Sequence, residues 1–226
     1  MMLKTMIKTA LFMIKIILVS TVFFASANAE DPFGEIATYD RNSYNRAVTE
    51  CDLLAAHYND PERVSEGVAQ NDMDKPAAIA ACLKALKDDP DNPRLNYQLA
   101  RAYGYSGLHE ESDPYRVKAL NAGYPQSLFV IGYISILSWD GRGADPCYGG
   151  ELVRRSALAE RFAGLVGFPH YVQMGVFDQC ETYPAINKTE IQSFLDQAKN
   201  STDDYYHLIL IERLEKGMEG LSLGGE

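Results

Sequence analysis

The chain is poor in the residues that metal and redox chemistry use. It holds one tryptophan, four cysteines and four histidines in 226 residues. No two cysteines stand at C-x-x-C spacing and no histidine lies within four residues of one, which argues against a zinc site. No stretch shows the apolar–polar alternation of a strand. Basic residues are scarce, 21 Lys+Arg against 31 Asp+Glu. Apolar runs are short throughout. Tyr205–Ile211 reads as a core helix, well below the roughly 20 residues that a bilayer span needs.

What is present begins with a leader. Lys4, Lys8 and Lys15 precede an uncharged apolar run from Ile16 to Ala25, and Ala27-Asn28-Ala29 fits the small-x-small cleavage rule. Residues 1–29 are expected to be a signal peptide cleaved after Ala29, giving a periplasmic or secreted protein with no membrane insertion after cleavage. The three leader lysines removed, 18 basic residues face 31 acidic ones in Glu30–Glu226, a net charge of −13. So acidic a chain repels nucleic acid and anionic lipid, and neither is expected as a partner.

Cys51, Cys82, Cys147 and Cys180 make an even count, which in an exported chain argues for disulfides. Four cysteines allow three pairings. The sequential one, Cys51–Cys82 with Cys147–Cys180, closes loops of similar length, and each bond would stabilise by roughly 3–4 kcal/mol in the chain-entropy picture.

The periodicity is helical. Residues 30–42 read as an irregular arm, 43–217 as a helical repeat domain and 218–226 as a flexible tail. A first helix is expected from Ser43, with Val48, Cys51, Leu54 and Ala55 on one face. Asn59–Lys75 reads as a loop, and a second helix runs over Pro76–Lys87. Pro93–Tyr105 carries a stripe of Leu95, Leu99, Ala102 and Tyr103. Ser106-Gly107-Leu108 turns the chain into an antiparallel partner over Glu110–Leu120, which Asn121-Ala122-Gly123 ends. Pro125–Ser138 follows, with Leu128, Ile131 and Ile134 in stripe, then a Gly-rich loop and a helix over about Tyr148–Gly164. Gly167-Phe168-Pro169-His170 echoes Gly123-Tyr124-Pro125-Gln126 after 44 residues, and predicts a restart that leads to a helix ending near Phe177. Helices over Thr189–Lys199 and Thr202–Lys216 close the chain. Short-turned helix pairs at this spacing predict an all-α fold, an α/α superhelical solenoid of helix-turn-helix repeats.

Tyr97, Leu99, Ala102, Tyr103 and Gly107 make Asp91–Leu120 resemble a tetratricopeptide-type hairpin. Ala122-Gly123-Tyr124-Pro125-Gln126-Ser127-Leu128-Phe129-Val130-Ile131-Gly132, followed by Gly141, Gly143 and Asp145 and by Ala157, Ala159 and Ala163, resembles the sel1-like repeat. The likeness covers roughly residues 93–177. Members of that family are adaptors and regulatory interaction proteins, several of them in the bacterial periplasm. It implies a scaffold or regulator whose partner is another protein or peptide segment.

The physical reading runs alongside. Small residues at Ser127 and Gly132 would let two helices approach closely. Stacked hairpins leave a groove, and Tyr97, Arg101, Tyr105, Tyr133 and Trp139 are the candidates to line it. Each tyrosine is equally at home as a core wedge.

No catalytic set stands out. Gly104-Tyr105-Ser106-Gly107 comes near a nucleophile elbow but has Leu108 at the fifth place. His57, His109, His170 and His207 are scattered. The Asp140–Glu151 loop has Arg142, Ala144 and Asp145 where a calcium loop wants Asp or Asn and then glycine. No cofactor, metal or enzymatic activity is expected. Two alternatives stay open: an envelope hydrolase acting on cell-wall or peptide substrates, and a periplasmic small-ligand binding protein.

Overall fold

The computed structural model describes residues 33–34, 36–139, 141 and 143–220. The expected leader and its cleavage point, the start of the arm and the last six residues of the tail lie outside them. The described residues form nine α-helices and no strand: α1 (Glu50–Ala55), α2 (Lys75–Asp88), α3 (Pro93–Tyr105), α4 (His109–Asn121), α5 (Pro125–Leu137), α6 (Pro146–Leu158), α7 (Phe162–Gln173), α8 (Lys188–Asn200) and α9 (Tyr205–Glu219). Each packs against the next, and α1 and α7 also reach α3 and α9. No described helix is long and apolar enough to cross a membrane.

Local chemistry sets most helix starts. The Asn92 side chain accepts from the amides of Arg94 and Leu95, and Pro93 fills the first helical position, where its missing N–H costs nothing. Asp74 with Pro76 and Asp145 with Pro146 repeat the device for α2 and α6. Thr49 and Asp52 cap each other at α1. These capped starts correct two expectations. Ser43 closes a 3-10 turn instead of opening a helix, and α1 begins seven residues later. The last helix, expected from Thr202, starts at Tyr205 with Asp204 as its cap.

The larger correction concerns the echo. Gly167–His170 lies inside α7, whereas Gly123 (φ 66°) stands in the turn before α5. The break falls earlier, at Ala159–Arg161, where Glu160 takes a left-handed φ of 58° and the Arg161 amide bonds back to the Ser156 carbonyl. Running α7 through Pro169 sacrifices a backbone hydrogen bond, at a cost of about 3 kcal/mol. It also puts Leu165, Phe168 and Val172 into the core on one face, and each buried side chain returns roughly 1.5–3 kcal/mol. The echo is a likeness of letters without a likeness of structure. At the far end α9 runs through Glu219 with Met218 buried, so the expected flexible tail does not begin at residue 218.

Two apolar cores result. Cys51, Ala55, Cys82, Leu86, Leu95 and Leu99 join α1, α2 and α3. Val153, Leu165, Phe168, Phe194, Ile211 and Leu214 join α6 to α9. The disulfides follow this division: Cys51–Cys82 ties α1 to α2, and Cys147–Cys180 ties the start of α6 to the segment after α7. Between the cores Tyr97, Ala119 and Tyr124 form a smaller aromatic seam.

Candidate functional site

Helix α3 faces different neighbours with different chemistry. Leu95, Leu99 and Ala102 belong to the first core. Arg94, Gln98 and Arg101 form a polar stripe against α1. Arg94 pairs with Asp52 at 2.6 Å, both buried, and Gln98 donates to the same carboxylate oxygen. Arg101 donates Nη1 to the carbonyls of Ala55 and Ala56, at 2.9 and 3.1 Å, and Nη2 to that of Val68. It thus caps the end of α1, whose last carbonyls have no helical partner. Tyr97, Ala100, Arg101, Gly104 and Tyr105 look outward across a cleft to α5.

The cleft has a volume of about 240 Å³. Its far wall is Ser127, Val130, Ile131 and Ile134, positions i, i+3, i+4 and i+7 of α5, with Trp139 beyond the helix end. His57, His109 and Arg116 complete the lining. No acidic side chain is among the described residues that line it. Of the five groove candidates, Tyr97, Arg101, Tyr105 and Trp139 meet here. Tyr133 does not line the cleft; it meets Trp139 edge to face at 5.0 Å. Arg101 lies over the Tyr105 ring at 4.9 Å. The tyrosines divide as their burial dictates: Tyr97 is a core wedge with one edge on the cleft, and Tyr105 is half exposed.

A polar network backs the cleft. Arg161 donates to Gln126, whose amide donates to the Tyr97 hydroxyl. Tyr124 donates to Asp60 at 2.8 Å. Burial raises the Asp60 carboxyl to about 6, against the pull of the Glu62 amide and the Tyr124 hydroxyl. Burial and the cationic Arg101 and Arg161 push His57 down to about 4, so its imidazole is neutral at pH 7. Its Nδ1 accepts the Asn59 amide.

Two side chains of the lining carry buried polar atoms with no hydrogen-bond partner: Nε of Arg101 and Oγ of Ser127. Of the two small residues expected to let helices approach closely, Gly132 meets Gly149 of α6. His57 and His109 read as scattered in the sequence, because they stand just after α1 and at the start of α4 and share the cleft only in the folded chain.

Two of the roomier hollows are chemically quieter. One, about 410 Å³, lies between the arm and α6, but its Arg154 and Arg155 are paired with Glu151 and Glu190. The other, about 530 Å³, is a shallow dish on α9. No family model, no curated protein and no solved structure matches the chain.

Proposed function

We propose that this chain is an exported helical-repeat protein that holds a segment of another protein in the α3–α5 cleft, as a scaffold or regulator of the bacterial envelope. The observation that carries the reading is the composition of that cleft. Its walls are aromatic and aliphatic, it holds Arg101 and Arg116, and no described acidic side chain lines it, in a chain of net charge −10. Aromatic and arginine side chains in a partly desolvated pocket are the groups that dominate binding energy at protein interfaces.

Supporting features come from elsewhere in the molecule. The leader directs export, and two disulfides suit an oxidising compartment. We read α3–α4 and α5–α6 as the two hairpins of a short sel1-like solenoid, with the flanking helices as caps. The hydrolase alternative is weaker: Ser127 has no base on its hydroxyl, and His57 is engaged with the Asn59 amide.

The test is site-specific crosslinking. A photoreactive residue replaces Tyr105 or Trp139 in the cleft, or the exposed Tyr206 on α9 as a remote control. In the native envelope the two cleft positions should capture one common protein that Tyr206 does not. Equal capture from all three positions, or none, would sink the reading.

A further inference from the structure

We infer that the cleft contains a subsite for a carboxylate carried on an apolar or aromatic body, with Arg101 and Ser127 as its hydrogen-bond donors. This rests on the reading that the cleft is a binding site, and it names the chemistry of the occupant.

Three backbone carbonyls hold Nη1 and Nη2 of Arg101, which fixes the guanidinium plane and leaves Nε–H as the donor without an acceptor. Those partners are neutral, and no ion pair to Arg101 occurs among the described residues, so no carboxylate balances its charge. Ser127 lines the same cleft from α5. It is 1% exposed, and its hydroxyl does not make the bond to a preceding turn that a buried helical serine commonly forms. Two unmatched donors on one small cavity ask for an acceptor, and a carboxylate presents two oxygens that accept only. Both atoms are shielded from solvent, so a ligand oxygen meets them only once the side chains that cover them move aside.

Charge and shape narrow the class. Arg116 adds a second cation, and its contact with Asp113 is loose at 3.8 Å. A cationic ligand would face two arginines. A bare inorganic anion would leave Val130, Ile131, Ile134 and Trp139 uncovered. An apolar acid satisfies both ends. Two sources offer that chemistry, a free organic acid and the C-terminal residue of a peptide.

Trp139 is the chain's one tryptophan and lines the cleft, so its fluorescence reports occupancy directly. The probes are 4-phenylbutyrate and its neutral amide, and the tripeptide Ala-Leu-Phe with a free or an amidated C-terminus. Acid should bind at least about tenfold tighter than amide, since a charge-assisted hydrogen bond is lost in the amide. Ser127→Ala removes a hydroxyl that makes no internal bond, so it should melt at the parent temperature. It should weaken the acid about 5- to 30-fold and the amide, whose carbonyl accepts only a neutral hydrogen bond, by less. Tighter binding of the free-terminus tripeptide than of phenylbutyrate assigns the site to peptide ends; the reverse assigns it to free acids; either supports the inference. Equal affinity for acid and amide, an acid affinity indifferent to Ser127→Ala, or no binding of any probe would overturn it. Crosslinked capture at Tyr105 alongside equal acid and amide affinities would remove the carboxylate subsite and leave the protein-binding reading in place.

Discussion

Gly132 of α5 and Gly149 of α6 cross backbone to backbone: a β-carbon on Gly132 would lie 2.7 Å from the Gly149 carbonyl oxygen, and one on Gly149 would lie 2.6 Å from the Gly132 oxygen. Val153 and Ile136 close the same crossing. The atoms in the way are backbone, so neither helix can yield without moving as a whole. Gly132→Ala and Gly149→Ala should each destabilise by about 1–3 kcal/mol through overpacking, despite alanine's better helix propensity. Urea unfolding measures this. Because the two positions share one contact, the double variant should lose less than the sum. A stabilised Gly132→Ala would show that the crossing is looser than this geometry.

The disulfides divide the stability between the two cores. Cys51–Cys82 spans 31 residues and Cys147–Cys180 spans 33, and chain entropy assigns each roughly 3–4 kcal/mol. Replacing Cys51 and Cys82 together by alanine should cost more than replacing Cys147 and Cys180. The first bond is fully buried in the α1–α3 core, whereas Cys180 only packs at the margin of its own. Melting temperatures of the two double variants give the order, and equal losses would contradict the burial argument.

Asp52 and Arg94 form a buried pair whose carboxylate also takes the Gln98 amide and the Thr49 backbone N–H. Removing one partner strands a charge. Arg94→Met and Asp52→Asn should each cost about 3–5 kcal/mol. Combining Arg94→Met with Asp52→Asn, which keeps a polar cap at α1, should recover a large part of the loss. A fully additive double variant would show that the two groups act separately.

These particulars mark how far the sequence could be read. The limits of α3 were plain, because Asn92-Pro93 and Ser106-Gly107 act through atoms within a few residues. The cysteine pairing was one of three, chosen by loop length, and the fold brings those same pairs together. The α6–α7 break was misplaced because a glutamate, not a glycine, takes the left-handed turn, and because burial outweighs Pro169 inside a helix. Asn59–Lys75 reads as a loop, and the sequence does not show that its Asp60 and Glu62 are buried. Their partners, Tyr124 for one and Tyr39, Arg41 and Arg46 for the other, come from the α4–α5 turn and from the arm and the segment that leads from it to α1. Four of the five groove residues meet at one cleft. The donors without partners, which give the cleft its chemistry, exist only once α1, α3 and α5 are assembled.

The pH dependence of stability should reveal two opposed groups behind that cleft. The Asp60 carboxyl is raised to about 6, so between roughly pH 4 and 6 the folded chain keeps a proton that the unfolded chain has released. Its contribution therefore falls as pH rises through that window. His57 is lowered to about 4, so between roughly pH 4 and 6.5 the unfolded chain takes a proton that the folded chain refuses. Its contribution rises with pH over nearly the same interval, and the two largely cancel. Single replacements should separate them. With His57→Gln the protein should be more stable at pH 4.5 than at 6.5, relative to the parent. With Asp60→Asn it should be less stable at pH 4.5 than at 6.5. Each change should be about 1–2 kcal/mol across the window, after allowing for the partial exposure of His57. Urea midpoints at pH 4.5, 5.5 and 6.5 for the three proteins give the slopes. Parallel profiles would mean that neither group titrates differently in the folded chain, and would remove the electrostatic account of the cleft's rear wall.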